Sequence, residues 1–142
     1  MNTAYEELAA ELLRLHIGML QEPAKQKISK MTRGEIFVLN YLVTHQNQAH
    51  PAEISRSMVV STARIAALLS RLEEKEYISR VHDPLDNRQV IVTLLPRGLA
   101  LIERIRGEVI AAAAHMLERL GPEDAGEYIR IQKKILSGIH IP

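Results

Sequence analysis

Few residues of this 142-residue chain are equipped for chemistry, and most enzymatic sets are missing. There is no cysteine, which excludes disulfides, thiolate catalysis and thiol-based redox sensing, and fits a reducing cytoplasmic setting. No nucleophile stands beside a base, no glycine-rich loop could cradle a phosphate, and no carboxylate pair falls in a recognisable context, so neither catalysis nor a cofactor is expected. His16, His45, His50, His115 and His140 are available beside Asp and Glu, but no two stand at the i, i+4 spacing that holds zinc from one helix face. What remains is guanidinium chemistry. In "DPLDNRQVIVTL", residues 83–94, Arg88 follows Asp86 by two positions and precedes a β-branched run. In "STARIAALLSRL", Arg64 and Arg71 flank Ala63, Ala66, Ala67 and Ser70. A guanidinium fork matches phosphate oxygens and the major-groove edge of guanine.

The bulk composition says how such arginines would have to act. With 46% hydrophobic and 25% charged residues the chain reads as a soluble globular protein long enough for a real core. Its net charge of +1 offers no global basic field, so any nucleic-acid contact must come from locally placed cations. The first twenty residues carry Glu6, Glu7 and Glu11 where a signal peptide would want positive charge, and neither export nor a membrane span is expected.

The elements that position these arginines follow from hydrophobic period and caps. Leu8, Leu12, Leu15 and Met19, with Leu13, Ile17 and Leu20 beside them, predict a helix over 3–20 with an apolar surface wide enough for more than one neighbour. "QEPAKQKISK" reads as a linker whose Lys25, Lys27 and Lys30 are either solvated or touch phosphate. "MTRGEI" predicts a helix start, with Thr32 as N-cap, Glu35 as capping-box partner and Met31 with Ile36 as staple. That helix is expected to reach about His45. Pro51 opens a short helix to about Met58, and Ser61 caps a second, with Val60 and Ile65 as staple, which together make a helix-turn-helix.

In the second of these helices Ile65, Leu68, Leu69 and Leu72 form a core stripe, which leaves the alanine and serine face outward. Small side chains suit close approach to a major-groove floor, where alanine can touch a thymine methyl. Packing against another helix is the competing reading of the same face. "YISRVH" and "QVIVTL", joined by "DPLDNR" with Pro84 and Asp86-Asn87 as turn formers, predict a hairpin with Val90, Val92 and Leu94 on one face. A long helix from Pro96 carries a seam of Ile102, Ile105, Val109, Ala112 and Met116, and a last helix from Pro122 lines up Tyr128, Ile131, Ile135 and Ile139. The two chain ends hold more apolar surface than one small domain can cover, and a symmetric dimer would bury it.

The wing and its exit, "DPLDNRQVIVTLLPRG", the helix end "LSRLEEKEYI" and the order of helices resemble the MarR family of bacterial winged-helix transcriptional regulators across nearly the whole chain. The resemblance implies a mainly α fold, with a two-stranded β wing on a helix-turn-helix. It also implies an obligate homodimer that binds pseudo-palindromic double-stranded DNA, usually as a repressor, and is often released by a small-molecule effector. On this reading residues 32–95 form the DNA-binding domain, and 1–31 with 96–142 the dimerisation region. The recognition helix would read DNA with Ser61, Thr62, Ala63, Arg64, Ala66, Ala67, Ser70 and Arg71. In the wing, Arg88 would enter the minor groove beside Asn87, oriented by Asp86.

Three positions depart from the family pattern. The usual threonine or serine followed by arginine is Ala66 and Ala67, which leaves Arg64, one turn earlier, as candidate base reader. The glycine that ends the recognition helix is Glu76, and the threonine cap before the long helix is Leu95. An effector pocket is expected between the first helix, the 21–31 segment and the long helix, with Tyr5, His16 and Met19 as candidate lining. A zinc-sensing regulator of the same fold and a winged helix used only for protein contacts are the alternatives.

Overall fold

The computed structural model describes residues 2–139, so His140 lies outside the described residues. The chain runs α1 (Thr3–Gly18), a 3-10 turn (Met19–Gln21), α2 (Pro23–Lys30), α3 (Gly34–Val43), β1 (Gln48–Ala49), α4 (Pro51–Met58), α5 (Thr62–Glu74), β2 (Ile78–Asp83), β3 (Asp86–Leu94), α6 (Pro96–Leu120) and α7 (Pro122–Ser137). The sheet is antiparallel in the order β1-β3-β2, with Ala49 opposite Val92 and Arg80 opposite Val92 on the other side. One core joins Val38, Leu39 and Leu42 of α3, Ile54 of α4, Ile65, Leu68, Leu69 and Leu72 of α5, Ile78, Val92 and Leu94 of the strands, and Ile102 of α6. This is the mainly helical winged fold that the hydrophobic periods predict, and α5's stripe and the Pro51, Pro96 and Pro122 helix starts fall where expected.

Four expectations are corrected. The 21–31 segment is not a loop: Pro23 starts α2 at its first helical position, Ala24 is fully buried, and Lys25 donates to the Tyr128 hydroxyl at 2.8 Å. Thr32 does not cap α3. Its hydroxyl donates back to Ser29 O at 2.6 Å, Arg33 occupies the cap without a side-chain bond, and Gly34 at φ +64° redirects the chain. Glu35, freed from a capping box, reaches α5 instead. The sheet also has a third strand, β1, which two left-handed residues, Gln46 and Asn47, turn back onto β3. Finally, the wing turn is only Pro84-Leu85; Asp86, Asn87 and Arg88 already belong to β3.

Two departures from the family pattern have structural consequences. Glu76 adopts φ +62° after α5, so the chain takes the left-handed exit without glycine. Leu95 precedes α6 with no side-chain cap. Val59, between α4 and α5, is also left-handed at φ 57° although β-branched. The ends behave differently from the core. Neither α1 nor α7 buries a residue, and α1 leaves Leu8, Leu12, Leu13, Leu15 and Ile17 exposed, so the neighbours expected for it are not supplied by the described residues. No described helix is long and apolar enough to cross a membrane.

Candidate nucleic-acid interface

Four fully or almost fully buried side chains, Ile65, Leu68, Leu69 and Leu72, fix which way α5 faces. By helical geometry the opposite side must then carry Ala63, Ala66, Ala67 and Ser70, and all four are exposed. Ser61 caps the helix, accepting the Arg64 N–H at 3.2 Å, and Ser61, Thr62, Arg64 and Arg71 are exposed with that face. Among the described residues no other helix covers the alanines.

The cations around this face are unequal. Arg71 Nε and Lys75 Nζ donate to the two oxygens of Glu35, at 3.2 and 2.8 Å. Arg80, on β2, donates from its guanidinium to Ser70 Oγ at 3.3 Å and to Glu73 Oε1 at 3.1 Å, and its N–H reaches Glu73 Oε2 at 3.0 Å. Those bonds hold the Glu73 carboxyl below its ordinary value. Arg64 makes none of the ion pairs found among the described residues. Among the described residues it is the guanidinium on the edge of this face that no carboxylate meets.

The wing presents Arg88 by a distortion of its ladder. His82 pairs with Val90 but Asp83 pairs with Asp86, so Asn87, Arg88 and Gln89 bulge out with no partner on β2. Asp86 Oδ1 accepts both the backbone N–H of Arg88 at 3.1 Å and its Nε at 3.2 Å. The Arg88 side chain is nonetheless 92% exposed. It is held in direction and left open to whatever lies beneath the wing.

Sequence reasoning missed three contributors. Arg80 had a signal, since it shares strand parity with the buried Ile78 and so points toward α5. Glu35 stands where a capping box would use it but accepts from Arg71 and Lys75 of the α5 end instead. His50 had a local partner in Glu53, three positions on, whose Oε1 lies 2.9 Å from Nδ1, but nothing local pointed to Asp83, 33 positions away, whose Oδ2 lies 3.0 Å from Nε2.

The three pocket candidates are not brought together. Tyr5 is 68% exposed near the start of α1, and His16 is exposed, its Nδ1 3.1 Å from Leu12 O of its own helix. Met19 alone lines a cleft, of about 580 Å³, with Met116, Leu120, Tyr128 and an Arg119–Glu22 ion pair of 2.7 Å. Among the described residues no three His, Asp or Glu side chains converge as a metal site.

Known proteins place this geometry. Residues 20–105 match the family model described as transcriptional regulator SarA/Rot. The chain is 30% identical over 137 residues to the HTH-type transcriptional repressor NicR of Pseudomonas putida, covering 92% of this chain and 82% of that protein. It is 34% identical over 84 residues to the uncharacterized HTH-type transcriptional regulator YsmB of Bacillus subtilis, a match spanning 59% of this chain and 55% of that protein. A solved MarR family protein from Bacillus stearothermophilus superposes with a TM-score of 0.77 at 21% identity, covering 97% of each chain. The chain belongs to the SarA/Rot family of transcriptional regulators, and its fold is that of a solved MarR family protein.

Proposed function

We propose that the protein is a homodimeric repressor that reads a pseudo-palindromic site in duplex DNA and is released by a small molecule. The observation that carries the DNA reading is the bare alanine and serine face of α5, exposed and backed by a fully buried stripe, beside an Arg88 held by Asp86 but open to solvent. A helix with that face can sit deep in a major groove, with Ala63, Ala66 and Ala67 near the bases and Arg64 at the edge within reach of guanine or phosphate. Arg88 suits a narrow minor groove, where A·T-rich sequence concentrates negative potential. The uncovered apolar helices at both chain ends support the dimer, and the name of NicR supports repression. The cleft at Met19, mainly apolar and carrying the Arg119–Glu22 pair, supports an effector site between the 3-10 turn, α6 and α7.

Selection of bound fragments from random duplex DNA tests the reading. A dimer of this kind enriches inverted half-sites whose centres lie about one helical turn, roughly 10 base pairs, apart or a multiple of it. Enrichment of no sequence, with binding no stronger than counterion release explains, would refute it.

A further inference from the structure

His50 stands immediately before α4, and its ring is held between carboxylates of two different elements: Glu53 of α4 at Nδ1, 2.9 Å, and Asp83 of β2 at Nε2, 3.0 Å. A neutral imidazole has one N–H and one lone pair. In this site the lone pair would face a carboxylate oxygen at hydrogen-bond distance, so only the imidazolium, with two N–H groups, satisfies both neighbours. Asp83 is the pivotal partner. It is 8% exposed, ends β2, and accepts the Leu85 N–H at 2.8 Å through its other oxygen, which shapes the wing turn. It also closes the ladder against Asp86, directly before the bulge that carries Arg88.

We infer that His50 is a positioning residue for the wing: as imidazolium it fastens the wing base at Asp83 to the first turn of α4 at Glu53, and so fixes the bulge that presents Arg88. The charged groups around it come from every element it meets. Glu53 and Arg56 belong to α4, Asp83 to β2, and Arg88 to β3 across a shared cleft of about 540 Å³. Tyr41 of α3 feels both Glu53 and Arg56. The two carboxylates touch the ring whereas the arginines do not, and the balance favours the proton. Hydrogen bonds to Asp83 and then to Glu53 raise the His50 pKa above its ordinary 6.5, and the same contact with His50 lowers that of Asp83. The sign follows. The contribution of a histidine with a raised folded value is complete below the unfolded value and is lost as pH rises through the folded one. The Asp83 contribution is lost only as pH falls through its lowered value, so the clamp holds between the two.

The DNA readout rests on the proposed DNA-binding function, so the test has two arms on the full chain. NMR titration of the imidazole signals should place His50 above 6.5, and Asp83→Asn should bring it down. Affinity for the selected duplex, measured at constant ionic strength between about pH 6 and pH 9, should fall several-fold with rising pH in the wild type. In His50→Gln, which keeps one donor and cannot titrate, it should stay flat near the wild-type high-pH level. A His50 titrating at or below 6.5 overturns the clamp. A raised His50 whose replacement leaves the pH profile unchanged overturns its action on the wing. Absence of duplex binding at every pH refutes the DNA reading and the wing role together, while the titration arm still decides the clamp.

Discussion

Arg64 and Arg71 lie on one edge of α5, seven residues apart, and their surroundings divide them. Arg71 shares Glu35 with Lys75, so its charge is already met, whereas Arg64 follows the capped helix start and pairs with no carboxylate among the described residues. N-terminal residues of a recognition helix lie nearest the base edges. Arg64→Ala should therefore relax base preference at one position in each half-site, at about 1–3 kcal/mol for a bidentate contact, measured by repeating the selection with the variant. Arg88→Ala should instead weaken binding and lessen the A·T preference beneath the wing, because a minor-groove guanidinium reads width. If Arg64→Ala lowers affinity uniformly across sequences, with a salt slope flatter by about one unit, Arg64 touches phosphate only. The exposed alanine and serine face of α5 and the Asp86–Arg88 pair were legible because local sequence sets both. Arg80 at Ser70 and His50 at Asp83 were not, because each contact depends on how separate elements dock.

At the scale of elements, periods and prolines located α4, α5, α6 and α7, but α2, β1 and the start of α3 escaped. The reason is the same in each case: a tertiary contact outvotes weak local preference. Polar α2 packs along α6 with Ala24 buried, and Lys25 donates to the Tyr128 hydroxyl of α7. β1 is two residues long and exists only as a partner of β3. The junction of β3 with α6 shows what such a contact demands. Leu95 gives α6 no cap, yet its N–H donates to Tyr77 O at 2.9 Å, and Arg97 lies over the Tyr77 ring at 5.6 Å. A Cβ on Gly98 would sit 2.2 Å from that same Tyr77 carbonyl oxygen and 2.9 Å from Leu94 Cδ1. The oxygen is backbone and cannot rotate away, which gives the glycine of "PRG" its physical reason. Gly98→Ala should cost about 3 kcal/mol or more, read as a lower urea midpoint with unchanged slope. Wild-type stability in that variant would mean that α6 does not rest on Tyr77 as described.

Across the whole molecule, apolar surface is divided unevenly. The core from α3 to the start of α6 is closed, and among the described residues no buried side-chain polar atom lacks a partner. The ends are the reverse. Leu8, Leu12, Leu13, Leu15, Ile17 and Leu20 at one end, and Ile129, Ile131, Ile135, Leu136 and Ile139 at the other, are each at least 40% exposed. Isolated exposed leucines need no account, but a helix bare along its length marks an interaction surface. With a net charge of only +1, self-repulsion does little to keep such faces apart. A two-fold dimer would cover both faces with one symmetric interface and set two recognition helices for a palindrome. Sedimentation at low micromolar concentration should therefore give about 32 kDa, twice the 16.0 kDa of one chain. Because α1 buries nothing within its own chain, removing residues 2–18 should leave the core folded, with the circular dichroism of the remaining helices retained, while abolishing the dimer or producing aggregate. A monodisperse monomer of the intact chain would refute the dimer, and a stable dimer after the deletion would move the interface away from α1.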